Sequence, residues 1–147
     1  MSNQKVPQPQ YEYNHCIDVQ LRFNDVDMLG HVNNSVYLQF MDLAKYEYFK
    51  AVMGKDFDLK ALAVVVVNIN CDFYSPSFIN EQLQVFTTTE RVGEKSLVLE
   101  QRIVSKDGDV KCVGHTIMAG YDLKTLKSAP INDNARKHLS LFEGRQF

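Results

Sequence analysis

Phe23-Asn24-Asp25-Val26-Asp27-Met28-Leu29-Gly30-His31-Val32-Asn33-Asn34 separates two opposite periodicities, and that switch decides the fold. Before it, Ile17, Val19, Leu21 and Phe23 alternate with Asp18, Gln20 and Arg22. A period of two puts the two sets on opposite faces and predicts a half-buried strand from His15 to Phe23. After it, between Ser35 and Met53, Tyr37, Phe40, Met41, Ala44, Tyr48 and Val52 make one wide apolar stripe at helical spacing. A helix of that span is about 28 Å long, enough to lie across a whole sheet. Asn33 or Asn34 suits its N-cap through a side-chain oxygen, and Gly54 suits a left-handed C-terminal cap.

The loop at this junction gathers two carboxylates, a glycine, an imidazole and two side-chain amides. It brings a carboxylate and a ring nitrogen near the free backbone N–H groups of a helix start. Such a set suits attack by water on a carbonyl. Asp27 is the candidate base or nucleophile, whereas Asp25 reads as a brace for the loop through local backbone hydrogen bonds. His31 could orient a carbonyl, hold Asp27 or pin the loop. Gly30 supplies backbone freedom or close approach to a ligand. Asn33 and Asn34 are caps first and substrate contacts second, and Tyr37 packs beside the pocket.

Downstream, four strand patterns follow: Ala63 to Phe73, Leu83 to Val92, Ser96 to Val104 and Val110 to Tyr121. Tyr74-Ser75-Pro76-Ser77 breaks the first, Gly93-Glu94-Lys95 turns the second, and Lys106-Asp107-Gly108 is a hairpin signal. A terminal helix is expected from Asn132 to Phe142. Short connections imply antiparallel pairing. The expected architecture is α+β: an antiparallel five-stranded sheet wrapped around one long central helix. Large residues on more than one helix side, Tyr46 and Phe49 among them, and the open sheet edges point to a homodimer or homotetramer.

Composition narrows the function. The chain has 147 residues, 45% hydrophobic and 23% charged, and a net charge of -2. That is one domain, expected as 13–147 behind a flexible arm, 1–12. No basic run suggests nucleic acid, and no apolar stretch suffices for a membrane span. The arm lacks the apolar segment of a signal peptide. Cys16, Cys71 and Cys112 are widely spaced and odd in number, so disulfides are not expected and a cytoplasmic location fits. His15-Cys16 are strand neighbours facing opposite ways, which argues against a Cys–His nucleophile. No zinc-ligand spacing, phosphate-binding loop or dinucleotide fingerprint is present, so no metal or cofactor is expected.

Asp25-Val26-Asp27-Met28-Leu29-Gly30-His31-Val32-Asn33-Asn34, followed by Tyr37 and Asp42-Leu43-Ala44, resembles the hotdog-fold acyl-CoA thioesterases of the 4-hydroxybenzoyl-CoA thioesterase-like branch. Phe73-Tyr74-Ser75-Pro76 is a second, weaker match, and the resemblance runs from about Asp18 to Tyr121. It implies hydrolysis of an acyl-CoA thioester without a cofactor, with Asp27 as the catalytic carboxylate and His31 beside it. Gly30, Val32, Asn33, Asn34 and Tyr37 would contact substrate. It also implies dimerisation edge to edge, with the site at the subunit boundary. His31-Val32-Asn33-Asn34 is similar to a segment of the plant-type acyl-carrier-protein thioesterases, but Leu29 stands where those enzymes carry an Asn. The rival readings are a carrier-protein thioesterase and a non-catalytic acyl-CoA-binding hotdog protein.

Overall fold

The computed structural model describes residues 5–147; Met1 to Gln4 of the expected arm lie outside it. Strand β1 (His15–Val19) is followed by helix α1 (Asn34–Met53), a short α2 (Leu59–Leu62), and strands β2 (Val64–Phe73), β3 (Leu83–Val92), β4 (Ser96–Ser105) and β5 (Val110–Asp122). A two-residue β6 (Lys127–Ser128) pairs with the end of β5, and helix α3 (Asp133–Glu143) closes the chain. The five long strands form one antiparallel sheet in the order β1-β3-β4-β5-β2. The sheet wraps α1, which is the expected α+β arrangement.

Every residue of the α1 stripe is buried, with Ala44 and Tyr48 fully inaccessible. Ala44 has the smallest side chain of the stripe and lets the helix axis approach the sheet closely. The core divides in two along α1. One half packs Tyr37, Phe40 and Met41 with Leu83, Val85 and Ile103. The other packs Tyr48, Phe49 and Val52 with Leu97, Leu99, Met118 and Leu139. Near the divide lies buried Gln101, whose Nε2 donates to the Met41 carbonyl at 2.9 Å and to Thr87 Oγ1 at 3.1 Å. A Cβ on Gly114 would come within 2.8 Å of the Met41 methyl, so the flexible end of that side chain would have to shift.

Four local expectations are corrected. The first strand stops at Val19; Phe23 opens a 3₁₀ turn and is 84% exposed. The alternation of burial continues through Leu21, which packs against the core, and fails only at Phe23, where the chain bends away before the ring reaches the core. Asn33 occupies the N-cap with extended backbone, yet its side chain makes no capping bond. Gly54 does take a positive φ of 55°, but with ψ of -128° it leaves the left-handed helical region. Strand β2 also breaks its alternation: a bulge between Val66 and Asn68 leaves Val67 without a partner on β5. Val65, Val66, Val67 and Ile69 stay substantially exposed along this edge.

The opposite edge is closed by side chains. Strand β1 pairs with only the first half of β3, Leu83 to Thr87. Beyond it, α3 and the tail supply hydrogen-bonding groups in place of a strand. Glu143 Oε1 accepts the Thr89 N–H at 3.1 Å. Arg145 donates to the Thr89 and Glu90 carbonyls, and Arg136 to those of Val92 and Gly93. Glu143 also accepts from the Tyr48 hydroxyl at 2.5 Å and from Thr88 Oγ1 at 3.1 Å. Burial, together with this neighbouring carboxylate, holds the Tyr48 phenol far above its ordinary range.

An ionic cluster, Glu90, Glu100 and His115, joins strands β3, β4 and β5. His115 Nε2 lies 3.3 Å from Glu90 and 3.4 Å from Glu100, and Glu100 accepts from Arg102 Nε at 2.7 Å and from the Tyr13 hydroxyl. Arg102 reaches the Pro7 carbonyl, and Arg145 lies over the Tyr11 ring, so the N-terminal segment is tied down at several points. Burial alone would raise the Glu100 carboxyl, but hydrogen bonds from His115, Tyr13 and Arg102 bring it down to about 2. The bond to Glu100 raises His115 against the opposing effect of burial.

Two outcomes follow from these contacts. Glu143→Ala strands the Thr89 N–H and leaves the Tyr48 hydroxyl with Thr89 Oγ1 alone, and is expected to cost about 2–4 kcal/mol in denaturant unfolding. The depressed Glu100 contributes stability above its ordinary 4.5 that drains away as pH falls towards about 2. The raised His115 contributes stability that is full below its ordinary 6.5 and is lost as pH climbs through its folded value. Glu100→Gln should therefore flatten the acid limb of a plot of thermal midpoint against pH.

Candidate functional site

The junction loop folds around Asp27. Its Oδ1 accepts the Leu29 N–H at 2.8 Å and the His31 N–H at 3.2 Å. Its backbone N–H donates to the His31 carbonyl at 2.9 Å, and its carbonyl accepts from Gly30 N at 3.0 Å. The chain turns sharply here because Gly30 takes φ of +76°, a conformation that a β-carbon disfavours. Oδ2 of Asp27 takes no hydrogen bond among the described residues, and the side chain is exposed.

Asp25 braces the loop from below, as expected. It is 1% exposed; its Oδ2 accepts the Arg22 N–H at 2.8 Å, and Oδ1 pairs with the Arg22 guanidinium at 2.8 Å. The hydrogen bond from Arg22 holds its carboxyl below the usual range, against the effect of burial. The Asp25 carbonyl accepts the Asn33 N–H, which sets the direction in which α1 departs.

A cleft of about 830 Å³ opens beside this loop. Asp27, His31, Val32, Asn33, Asn34 and Tyr37 line it, so most of the residues singled out by sequence come together. Gly30 is not in the lining; it shapes the turn from behind. His31 meets Asp27 through its backbone, while its ring stacks edge-on against Phe78 at 5.0 Å. Tyr37 is 2% exposed and packs edge-on against Phe73 at 5.3 Å. The N–H groups of Asn34 and Ser35 precede the first intrahelical bond of α1 and remain for an outside acceptor. The helix dipole places positive potential at the same end.

The opposite wall, Phe73 to Pro76 and Phe78, has no counterpart among the candidate residues. Its sequence signals were the Phe73-Tyr74-Ser75-Pro76 break after β2 and the weaker family match of that segment, neither of which says which way it turns. Buried Lys111 holds that segment, donating to the Pro76 carbonyl at 3.0 Å and pairing with Glu81 at 2.7 Å and Asp109 at 2.9 Å. Ser77 joins the two walls: its carbonyl accepts the Val32 N–H, and its hydroxyl accepts from Tyr37. No cysteine lines the cleft. Cys112 is fully buried, Cys16 is exposed on β1, and all three thiols are free. Glu90, Glu100 and His115 gather side-chain ligand atoms within 4.8 Å of one another, but none of them lines the cleft.

Comparison with known proteins gives a consistent result. The sequence model of the thioesterase-like superfamily matches residues 21–139. The long-chain acyl-CoA thioesterase FadM of Escherichia coli is 27% identical over 123 residues, covering 82% of this chain and 93% of that protein. The 1,4-dihydroxy-2-naphthoyl-CoA hydrolase of Crocosphaera subtropica is 25% identical over 125 residues, 82% of this chain and 85% of that protein. A thioesterase of Thermus thermophilus solved with coenzyme A and Zn superposes with a TM-score of 0.82 at 27% identity, covering 92% of this chain and 98% of that one.

The loop geometry makes a stability prediction. Asp27→Asn keeps an acceptor for the Leu29 and His31 N–H groups, whereas Asp27→Ala removes it. Asp27→Ala should cost about 1 kcal/mol more than Asp27→Asn in chemical denaturation. Gly30→Ala should cost about 1 kcal/mol through its positive φ.

Proposed function

The chain belongs to the thioesterase-like superfamily, and from that membership we propose that it hydrolyses an acyl-CoA thioester to the free carboxylic acid and coenzyme A, with water as co-substrate. The observation that carries this reading is the pairing, in one cleft, of a carboxylate and a helix start. Asp27 offers an oxygen without a protein partner, and Asn34 and Ser35 offer unpaired backbone N–H groups.

Each group has a place in the reaction. The N–H groups at the start of α1 receive the thioester oxygen and stabilise the charge it gains as the carbonyl carbon becomes tetrahedral. Asp27 takes the proton of an attacking water, or attacks the carbonyl itself and forms an anhydride that water opens; on either route the C–S bond breaks and coenzyme A leaves as a thiolate that takes a proton derived from the water. Two backbone N–H bonds on Oδ1 fix its direction, so little reorganisation is needed when charge moves. His31 holds the turn through its backbone and presents its ring to the cleft wall. Val32, Asn33 and Tyr37 shape the space beside the carbonyl, with Phe73 and Phe78 giving an apolar wall for the acyl group.

The assembly follows from the β2 edge. Its unpaired backbone groups and exposed valines are what a second sheet edge would cover, which supports a dimer or a dimer of dimers. The free thiols fit a reducing compartment, the cytoplasm; among the described residues no helix is long and apolar enough to cross a membrane.

Thiol release from a panel of aliphatic and aromatic acyl-CoAs, with acyl-carrier-protein substrates beside them, tests the reading. Hydrolysis of at least one CoA thioester is expected. Turnover confined to carrier-protein substrates would move the substrate class, and no thiol release at all would leave a binding protein. Asp27→Asn should lower kcat by roughly a hundredfold or more while the fold persists, as expected on losing a base or nucleophile. Because the Asn side chain still caps the turn, that loss would report the charge rather than the loop.

A further inference from the structure

Ser77 is fully buried and touches both walls of the cleft without facing it. Its hydroxyl accepts the Tyr37 hydroxyl proton at 2.8 Å, which ties it to the second turn of α1. Its carbonyl accepts the Val32 N–H at 2.9 Å, which ties it to the Asp27 loop. The next residue, Phe78, forms an isolated antiparallel bridge with His31. His31 in turn exchanges two backbone bonds with Asp27, N–H to Oδ1 and carbonyl from N–H. One residue thus links the helix that offers the N–H groups to the loop that offers the carboxylate.

The far side of this link is rigid. The Tyr74 N–H donates to the Lys111 carbonyl at 2.8 Å, and Lys111 Nζ holds the Pro76 carbonyl. Lys111 is 3% exposed and paired with two carboxylates, so it does not swing away. Glu81 closes the other end by accepting the Phe78 N–H at 2.7 Å. Ser77 is therefore a fixed post, and both parts of the site lean on it.

We infer that Ser77 is a positioning residue for hydrolysis: its bond to Tyr37 sets the distance between the Asp27 carboxylate and the helix-start N–H groups. The inference rests on the thioesterase reading above. Two reacting groups on separate elements must be held within a fraction of an ångström to act on one carbonyl, and small displacements are costly in rate. Ground-state binding of coenzyme A, by contrast, does not depend on that separation. The bond therefore bears on kcat more than on KM.

Ser77→Ala removes the hydroxyl without adding volume, and Tyr37→Phe removes the donor. Each is expected to lower kcat about tenfold, in line with a lost buried hydrogen bond, with KM within about twofold. The double variant should also lose about tenfold, since both changes break one bond. Hydrogen exchange of the Asp27–Asn33 amides should quicken about tenfold in Ser77→Ala, while that of the β4 amides stays unchanged. An unchanged loop exchange rate, an unchanged kcat, or a multiplied loss of about a hundredfold in the double variant would each overturn the inference. A wild-type protein inert on every thioester would instead sink the thioesterase reading, and loop exchange in Ser77→Ala would still decide whether the link exists.

Discussion

The structure depends on the need to cover helix α1 along nearly its whole length. Tyr37, Phe40, Met41, Ala44, Phe49, Tyr48, Val52 and Met53 are too many apolar residues for one narrow contact stripe. A flat sheet would leave part of that surface in water, whereas a curled antiparallel sheet encloses it. The apolar stripe of α1 is therefore unavailable to a ligand. The backbone of its first turn stays accessible, because the chain must enter there from the surface. Burial of the helix thus leaves its N-terminal N–H groups at the rim of the sheet, next to the loop that delivers the chain to them. The site is a by-product of enclosing the helix, furnished with a carboxylate.

Enclosure also explains the unequal edges. Curling the sheet leaves β1 only five residues long, and the second half of β3 would be bare. Arg136, Glu143 and Arg145 supply side-chain donors and acceptors where a neighbouring strand would have supplied backbone ones. Glu143 does more, since it reaches through to Tyr48 on α1. The C-terminal helix is consequently bonded to the edge and to the central helix by one carboxylate. The β2 edge receives no such cover, and its valines remain outside.

How much of this could be read in the chain depended on how local the cause was. Strand β3 matched its expected limits, Leu83 to Val92, because alternation and a glycine turn are properties of neighbouring residues. The α1 stripe was legible for the same reason. The end of β1 was not: Phe23 continues the alternation in sequence, but it enters a turn braced by the buried Asp25–Arg22 pair, which forms only in the folded chain. The Asn33 cap failed similarly. Its side chain is a good local acceptor, but the Asp25 carbonyl already fixes its backbone. Ser77 was invisible because a lone serine after Pro76 acquires meaning only when Tyr37 and Val32 arrive from a distant part of the sequence.

Residue types alone could not separate a structural role from a chemical one at Asp27, and the geometry leaves room for both. An aspartate two residues before an N–H and four before another is a good turn former, so Oδ1 has a sufficient structural reason to be there. Had both oxygens been engaged in this way, the residue would be accounted for. Oδ2 is left over among the described residues, on a side chain that lines the cleft rather than a core. Met28 and Leu29, at the tip of the same turn, are 103% and 76% exposed, which the chain's own packing gives no reason for. An isolated exposed apolar residue is unremarkable, but Phe23, Met28 and Leu29 all belong to the one loop that carries Asp27. They lie outside the cleft lining, whose apolar side comes from Phe73 and Phe78, so the loop's apolar tip and the cleft are two separate consequences of the same turn.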